Sequence, residues 1–269
     1  MDDVGNYHIK SYSKNRRNIE HIAREGWRRH SIRSLIEVDV TETLKEIKKI
    51  KEDTGKKISF TGWVIKCVSQ AIIKNKGLNA YRQGRRKIVV FDDVDVGMPI
   101  ERNVDEEYQT MVYIVRRANE KNVFEITDEI RKAQREETDG STQVLGEKLN
   151  WVAKFALKAP GFIQRFFMFF IRRNGIFRKK YTGTVGVTAI GMKGRFPGWV
   201  IPLGGTPAVL VVLTGIIKKP VVVKNEIKIR DMLHVTISVD HDIVDGGPLA
   251  RFVETLIDLM QNSYGLTKQ

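Results

Sequence analysis

Residues 234–260 read HVTISVDHDIVDGGPLARFVETLIDLM, and two periods meet inside them. Val235, Ile237 and Val239 alternate with polar residues as a half-buried strand requires, while Leu249, Phe252, Val253, Leu256, Leu259 and Met260 recur at helical spacing. Gly246 and Gly247 mark a turn between them, and Pro248 suits a first helical position. The stretch predicts a strand that passes into a helix across a short corner, and that corner carries His241 between Asp240 and Asp242.

Working outward, TGTVGVTAIGM (182–192), AVLVVLTGIIKKPVVV (208–223) and NEIKIRDMLHVTISVD (225–240) read as strands. Upstream, SKNRRNIEHIAREG (13–26) predicts a basic helix. RSLIEVDVTETLKEIKKIKEDTG (33–55) predicts a strand and then a helix whose first turn holds Thr41, Glu42 and Thr43. An apolar helix ending near Gly77, strands in KIVVFDDVDVGMPIE (87–101) and YQTMVYIVRRAN (108–119), and an amphipathic helix in NVFEITDEIRKAQREE (122–137) complete the pattern. Helices and strands mix without one-to-one alternation. That order points to an α/β sandwich with a mixed sheet, formed by one domain over residues 1–269.

With 269 residues, 42% of them hydrophobic, the chain can bury a sizeable core. Its single cysteine, Cys67, has apolar neighbours and reads as a packing residue, so neither a disulfide framework nor a cysteine metal site is expected. The first residues have no apolar core, and no run reaches the roughly 18 apolar residues of a membrane span, so a reducing, cytoplasmic setting is expected. The formal charge of +14 would attract any polyanion, whether nucleic acid, an anionic membrane face or a phosphate-bearing cofactor. Gly-x-Gly-x-x-Gly after a strand, a phosphate loop, a Gly-x-Ser-x-Gly elbow and His-Glu-x-x-His are all absent from the sequence.

Asp240, His241, Asp245 and Gly246 resemble the His-x-x-x-Asp-Gly motif of the chloramphenicol acetyltransferase-like superfamily. With GPLARF following, they look most like the catalytic domain of the dihydrolipoyl acyltransferases of 2-oxo acid dehydrogenase complexes. The helix ending in Leu78-Asn79-Ala80, VDVGMPIE, IVRRANEKNVFEITDEIRK and the basic first helix are similar to further segments of that family. The resemblance covers roughly residues 13–137 and 182–262. It implies a two-layer sandwich with a mixed sheet and an acyl group passing between coenzyme A and a thiol, hydroxyl or amine acceptor.

In such a site a neutral imidazole takes the acceptor's proton and returns it to the leaving group, the role the resemblance gives His241. Thr188, 53 positions earlier, stands where the family has a serine that donates to the oxyanion, a contribution on the order of 3 kcal/mol. Asp245 would fix the loop by bonding Arg16 or Arg17 of the first helix, and Gly246 would let the backbone turn closely. The resemblance further implies homotrimers or multiples of trimers, with His241 from one subunit and Thr188 from its neighbour. No metal and no lipoate bound to this chain are expected. A lipoyl protein acting in trans is a candidate partner.

Three departures stand out. Asp242 replaces the usual arginine, where a carboxylate would favour a protonated His241 or select a cationic acceptor. No lipoyl domain, subunit-binding domain or Pro/Ala-rich linker precedes Ser13, so the expectation is a stand-alone domain. Residues 145–181 replace a shorter connection with a basic, Phe-rich insertion. It fits packing with a solvated basic rim or contact with an anionic membrane surface, the latter placing the chain at the membrane periphery. A nucleic-acid face fits less well, because the aromatics read as helical rather than as a platform. The competing reading of the whole chain is a catalytically silent homologue serving as an oligomeric or membrane-associated scaffold.

Overall fold

The computed structural model describes residues 5–12, 14–104, 107–135, 144–145, 169, 171–191 and 196–266. The N-terminal half contains α1 (Lys14–Trp27), β1 (Ser31–Asp39), α2 (Thr41–Thr54), α3 (Phe60–Lys74), β2 (Ala80–Gln83), β3 (Lys87–Val90), β4 (Val96–Val104), β5 (Glu107–Val115) and α4 (Val123–Arg135). Then follow β6 (Val144–Leu145), α5 (Gly175–Thr182), β7 (Val185–Ala189), β8 (Val209–Val223), β9 (Glu226–Asp240) and α6 (Gly246–Gln261). Seven strands form one mixed sheet in the order β1-β9-β8-β7-β4-β5-β6, and β2 pairs with β3 in a separate hairpin. Pairing is antiparallel between β1 and β9, β8 and β9, and β4 and β5, and parallel between β7 and both its neighbours.

The helices take the apolar side of the alternation. Val235, Ile237 and Val239 of β9 pack with Val209, Val211 and Leu213 of β8 in the cluster that also buries Trp63, Ile65 and Ile72 of α3 and Phe252, Leu256 and Met260 of α6. Trp63 satisfies its indole N–H on the Tyr264 carbonyl at 3.0 Å, so its whole ring can be buried. The opposite side of β9 was expected to meet solvent. Instead every residue from Met232 to Asp240 is buried, because the connection between β7 and β8 crosses that face. Trp199 in this connection lies with its ring 4.3 Å from the His234 ring and donates to the Ile36 carbonyl at 3.0 Å.

His234 thereby becomes a structural histidine. The Gly198 N–H donates to its Nδ1 at 3.2 Å, which leaves Nε2 to donate to Glu37 at 3.1 Å. With both ring nitrogens engaged and the ring buried, it takes no part in surface chemistry.

Three further elements differ from the sequence reading. The apolar helix stops at Lys74, not near Gly77, because the Asn75 side chain caps it on the Ala71 carbonyl and a single 3-10 turn, Lys76–Leu78, follows. β2 and the distal part of the β8–β9 hairpin were also not foreseen as separate units. Past a register shift between Leu213 and Ile216, β8 and β9 run on as a two-stranded ribbon closed by Lys224 and Asn225, both at positive φ (51° and 63°). A two-residue turn of that hand matches strand twist. Val222 pairs with Ile227 and Pro220 with Ile229, so these four share one face; Val222, Ile227 and Ile229 are each more than 70% exposed.

Candidate active site

The corner after β9 is wound around Asp240. Its carbonyl accepts from the Ile243 and Val244 N–H groups, both at 3.1 Å, and its Oδ1 accepts from the Asp242 N–H at 3.2 Å. The carboxylate is buried, which pushes its pKa above the usual value, and Arg29 at 3.7 Å opposes that shift. Arg29 is held in turn by the Pro207 and Thr206 carbonyls at 2.5 and 2.6 Å. The linker between α1 and β1 is thus fastened to both the corner and the start of β8.

His241 projects from this frame. Its N–H donates to the His30 carbonyl at 2.7 Å, continuing the β1–β9 ladder one residue beyond the Ser31–Asp240 pair. The side chain is 43% exposed, enough for a substrate to reach it, and Asp245 Oδ1 stands 3.6 Å from Nδ1. A carboxylate beside Nδ1 favours the neutral tautomer with the proton there, which leaves the Nε2 lone pair able to accept a proton.

Of the residues singled out from sequence, the corner unites His241, Asp245 and Gly246. The ion pair the structure gives Asp245 is this one to His241; its carboxylate is otherwise 88% exposed. Arg16 is exposed on α1, and the Arg17 side chain lies outside the described residues. Gly246 has no positive φ, and an added Cβ would meet nothing within 4 Å, so the close turn expected there does not occur. Asp242, expected to act on His241, lies with Oδ1 2.9 Å from Nδ1 of His30. Sequence reading missed His30 and Arg29. The only signal was the cluster Arg28-Arg29-His30 immediately before a strand destined to pair with the His241 strand.

Thr188 lies elsewhere in the chain. It pairs with Val212, which pairs with Thr236, so it is level with a position five residues before His241 and two strands away. With strand spacing of about 4.8 Å and about 3.3 Å per residue, the separation is on the order of 19 Å. One chain cannot place both groups on the same acyl carbon.

Two cations of the described part of the 145–181 insertion lie over rings of the domain. The Arg178 guanidinium lies 3.9 Å from the Tyr81 ring centroid, and Lys179 Nζ lies 4.8 Å from that of Phe91. Residues 146–168 and 170 lie outside the described residues. Among the described residues no helix is long and apolar enough to cross a membrane, and no group of side chains is arranged to hold a metal.

The chain has relatives among known proteins. The dihydrolipoyllysine-residue acetyltransferase component of the Mycoplasma genitalium pyruvate dehydrogenase complex is 27% identical over 212 residues, 76% of this chain and 45% of that protein. The dihydrolipoyllysine-residue succinyltransferase component of the Staphylococcus saprophyticus 2-oxoglutarate dehydrogenase complex is 26% identical over 84% of this chain and 46% of its own. The chain therefore spans less than half the length of these curated relatives. In fold, it superposes on Azotobacter vinelandii dihydrolipoamide acetyltransferase with a TM-score of 0.71 at 14% identity, covering 97% of this chain and 94% of that one. Chloramphenicol acetyltransferase gives 0.50 at 12% identity, with 96% and 97% covered. The two-layer, mixed-sheet architecture is thus that of chloramphenicol acetyltransferase. The family model for the 2-oxoacid dehydrogenases acyltransferase catalytic domain matches residues 13–145 and 179–267, and the chain belongs to that family.

Proposed function

We propose that the protein transfers an acyl group between coenzyme A and a thiol, hydroxyl or amine acceptor, a dihydrolipoyl thiol being the first to test. The observation that carries this reading is the half-exposed His241 on a rigid strand end, with Asp245 beside Nδ1, inside a chain matching an acyltransferase catalytic domain. The solved Azotobacter protein is described through the catalytic roles of a serine, a histidine and an asparagine. His241 and Thr188 offer two comparable functions, and Asp245 a carboxylate in place of an amide.

In the forward direction Nε2 of His241 takes the acceptor's proton as its sulfur, oxygen or nitrogen attacks the acyl carbonyl carbon. The tetrahedral oxyanion accepts a hydrogen bond from the Thr188 hydroxyl of a neighbouring subunit. The carbon–sulfur bond to coenzyme A then breaks, and the departing thiolate recovers the proton from Nε2. The order of 19 Å that separates the two groups within one chain supports a site shared between subunits. The ribbon face of Pro220, Val222, Ile227 and Ile229 supplies apolar area for such an assembly.

The test is release of free coenzyme A from acetyl-, succinyl- and longer acyl-coenzyme A with dihydrolipoamide, alcohol and amine acceptors. Acceptor-dependent release is expected; none with any pair would favour a silent scaffold. Thr188→Val is expected to lower kcat about a hundredfold, while Thr188→Ser retains it within a few fold, since only the hydroxyl donates. Equal activity of Thr188→Val and wild type would remove Thr188 from the site. Ile227→Lys/Ile229→Lys should shift sedimentation from oligomer to monomer and abolish transfer together, because a charged ribbon face cannot be buried. A monomer that retains full activity would refute the shared site.

A further inference from the structure

His30 touches the corner twice. Its carbonyl accepts the His241 N–H at 2.7 Å, and its imidazole Nδ1 lies 2.9 Å from Asp242 Oδ1. The residue opposite His241 in the ladder therefore grips the backbone of that histidine and the side chain immediately after it. Asp242 is itself anchored through its N–H to Asp240. The route Asp240–Asp242–His30–His241 closes a ring of contacts through the backbone that carries the His241 imidazole, none of which uses the imidazole itself.

Building on the acyl-transfer reading above, we propose that His30 is a positioning residue for His241. It clasps the corner through its carbonyl and its ring, and the clasp is tight when His30 is protonated and loose when it is neutral.

The groups that face the ring account for this behaviour. Asp242 and Asp240 approach from the corner, Arg29 adjoins it on the linker, and the ring is otherwise open to solvent. The Asp242 hydrogen bond, reinforced by the charges of Asp242 and Asp240, raises the His30 pKa above the ordinary imidazole value. A raised folded-state pKa means the charged clasp is complete in acid and lost as pH climbs through that value. Above it, the bond from Nδ1–H to the Asp242 carboxylate loses its donor charge and weakens. The corner then holds His241 less often in its attacking orientation, and turnover falls. His30 thereby sets the alkaline limb of the pH profile.

The experiment combines NMR titration of the histidine Cε1 protons with pH profiles of kcat and KM for wild type, His30→Ala, His30→Asn and Asp242→Asn. His30 is expected to titrate above the ordinary imidazole value in the wild type and to move down in Asp242→Asn. His30→Ala should lose about tenfold in kcat with KM for acyl-coenzyme A little changed, as expected for misplacement of a catalytic group. His30→Asn retains a donor near the Nδ1 position but cannot titrate. It should stay within about threefold of wild type at neutral pH and lose the alkaline limb attributed to His30. Titration of His30 that ignores Asp242→Asn, or a His30→Ala profile that overlays the wild type, overturns the proposal. Should the wild type show no His241-dependent turnover, the acyl-transfer reading fails, and the NMR titration still decides whether the clasp exists.

Discussion

Replacing His241 with alanine is expected to lower kcat for acyl transfer about a thousandfold, the middle of the range for loss of a general base. The fold should be unaffected. Its side chain is 43% exposed and packs in no core, and the N–H that ties it to His30 belongs to the backbone, which alanine keeps. Circular dichroism and sedimentation of the variant should therefore match wild type while acceptor-dependent release of coenzyme A disappears. Unchanged release would mean that the corner serves structure alone.

The largest expected effect on stability comes from Arg29→Ala. Arg29 is 14% exposed and Asp240 8%, and their pairing is what compensates a carboxylate taken out of water. Removing one member of a buried ion pair costs about 3–5 kcal/mol, because the remaining charge is left uncompensated. For a domain of this size the melting temperature should drop by roughly 10 °C. The variant also loses the two bonds that hold the Thr206 and Pro207 carbonyls, so the start of β8 should loosen with the corner.

The pH dependence has a definite sign. Burial already raises the Asp240 pKa, and Arg29 works against that rise. Without Arg29 the folded-state value climbs further above the unfolded one, so the folded chain binds the extra proton between the two. Stability of the variant therefore increases as pH falls through the folded-state pKa, and its deficit against wild type narrows in acid. Adding Asp240→Asn to Arg29→Ala should recover much of the loss at neutral pH. Denaturant unfolding at pH 8 and pH 5 measures both effects. A deficit that is small and independent of pH would show that the pair does not matter to the fold.

The strand and helix of residues 234–260 were legible because each carries its own period, and the same holds for β1, β5, α4 and the helix α1. The alternation also misled. It records which residues of β9 face the helices, but not that Trp199 and its neighbours return to cover the polar face, which turns His234 into a buried hydrogen-bonding residue. Likewise Arg29 meets Pro207 across 178 positions, and Asp242 meets His30 across 212. Such contacts leave no local pattern. His241 could be found from its motif because strand, turn and helix follow one another directly. The partner of Asp242 could not, since it depends on which strand pairs with β9. Gly246 shows the converse limit. A glycine in a turn suggests strained backbone, yet here φ is ordinary and the space beside it is empty.

The claim that most needs testing is that His241 and Thr188 meet only across two chains. Differently tagged His241→Ala and Thr188→Val chains, each nearly inactive alone, can be co-expressed and the mixed oligomers purified on both tags. In a trimer that holds both chain types, one of the three sites draws an intact His241 from one chain and an intact Thr188 from its neighbour, restoring about a third of wild-type turnover. Mixed oligomers no more active than the two parents would contradict the shared site.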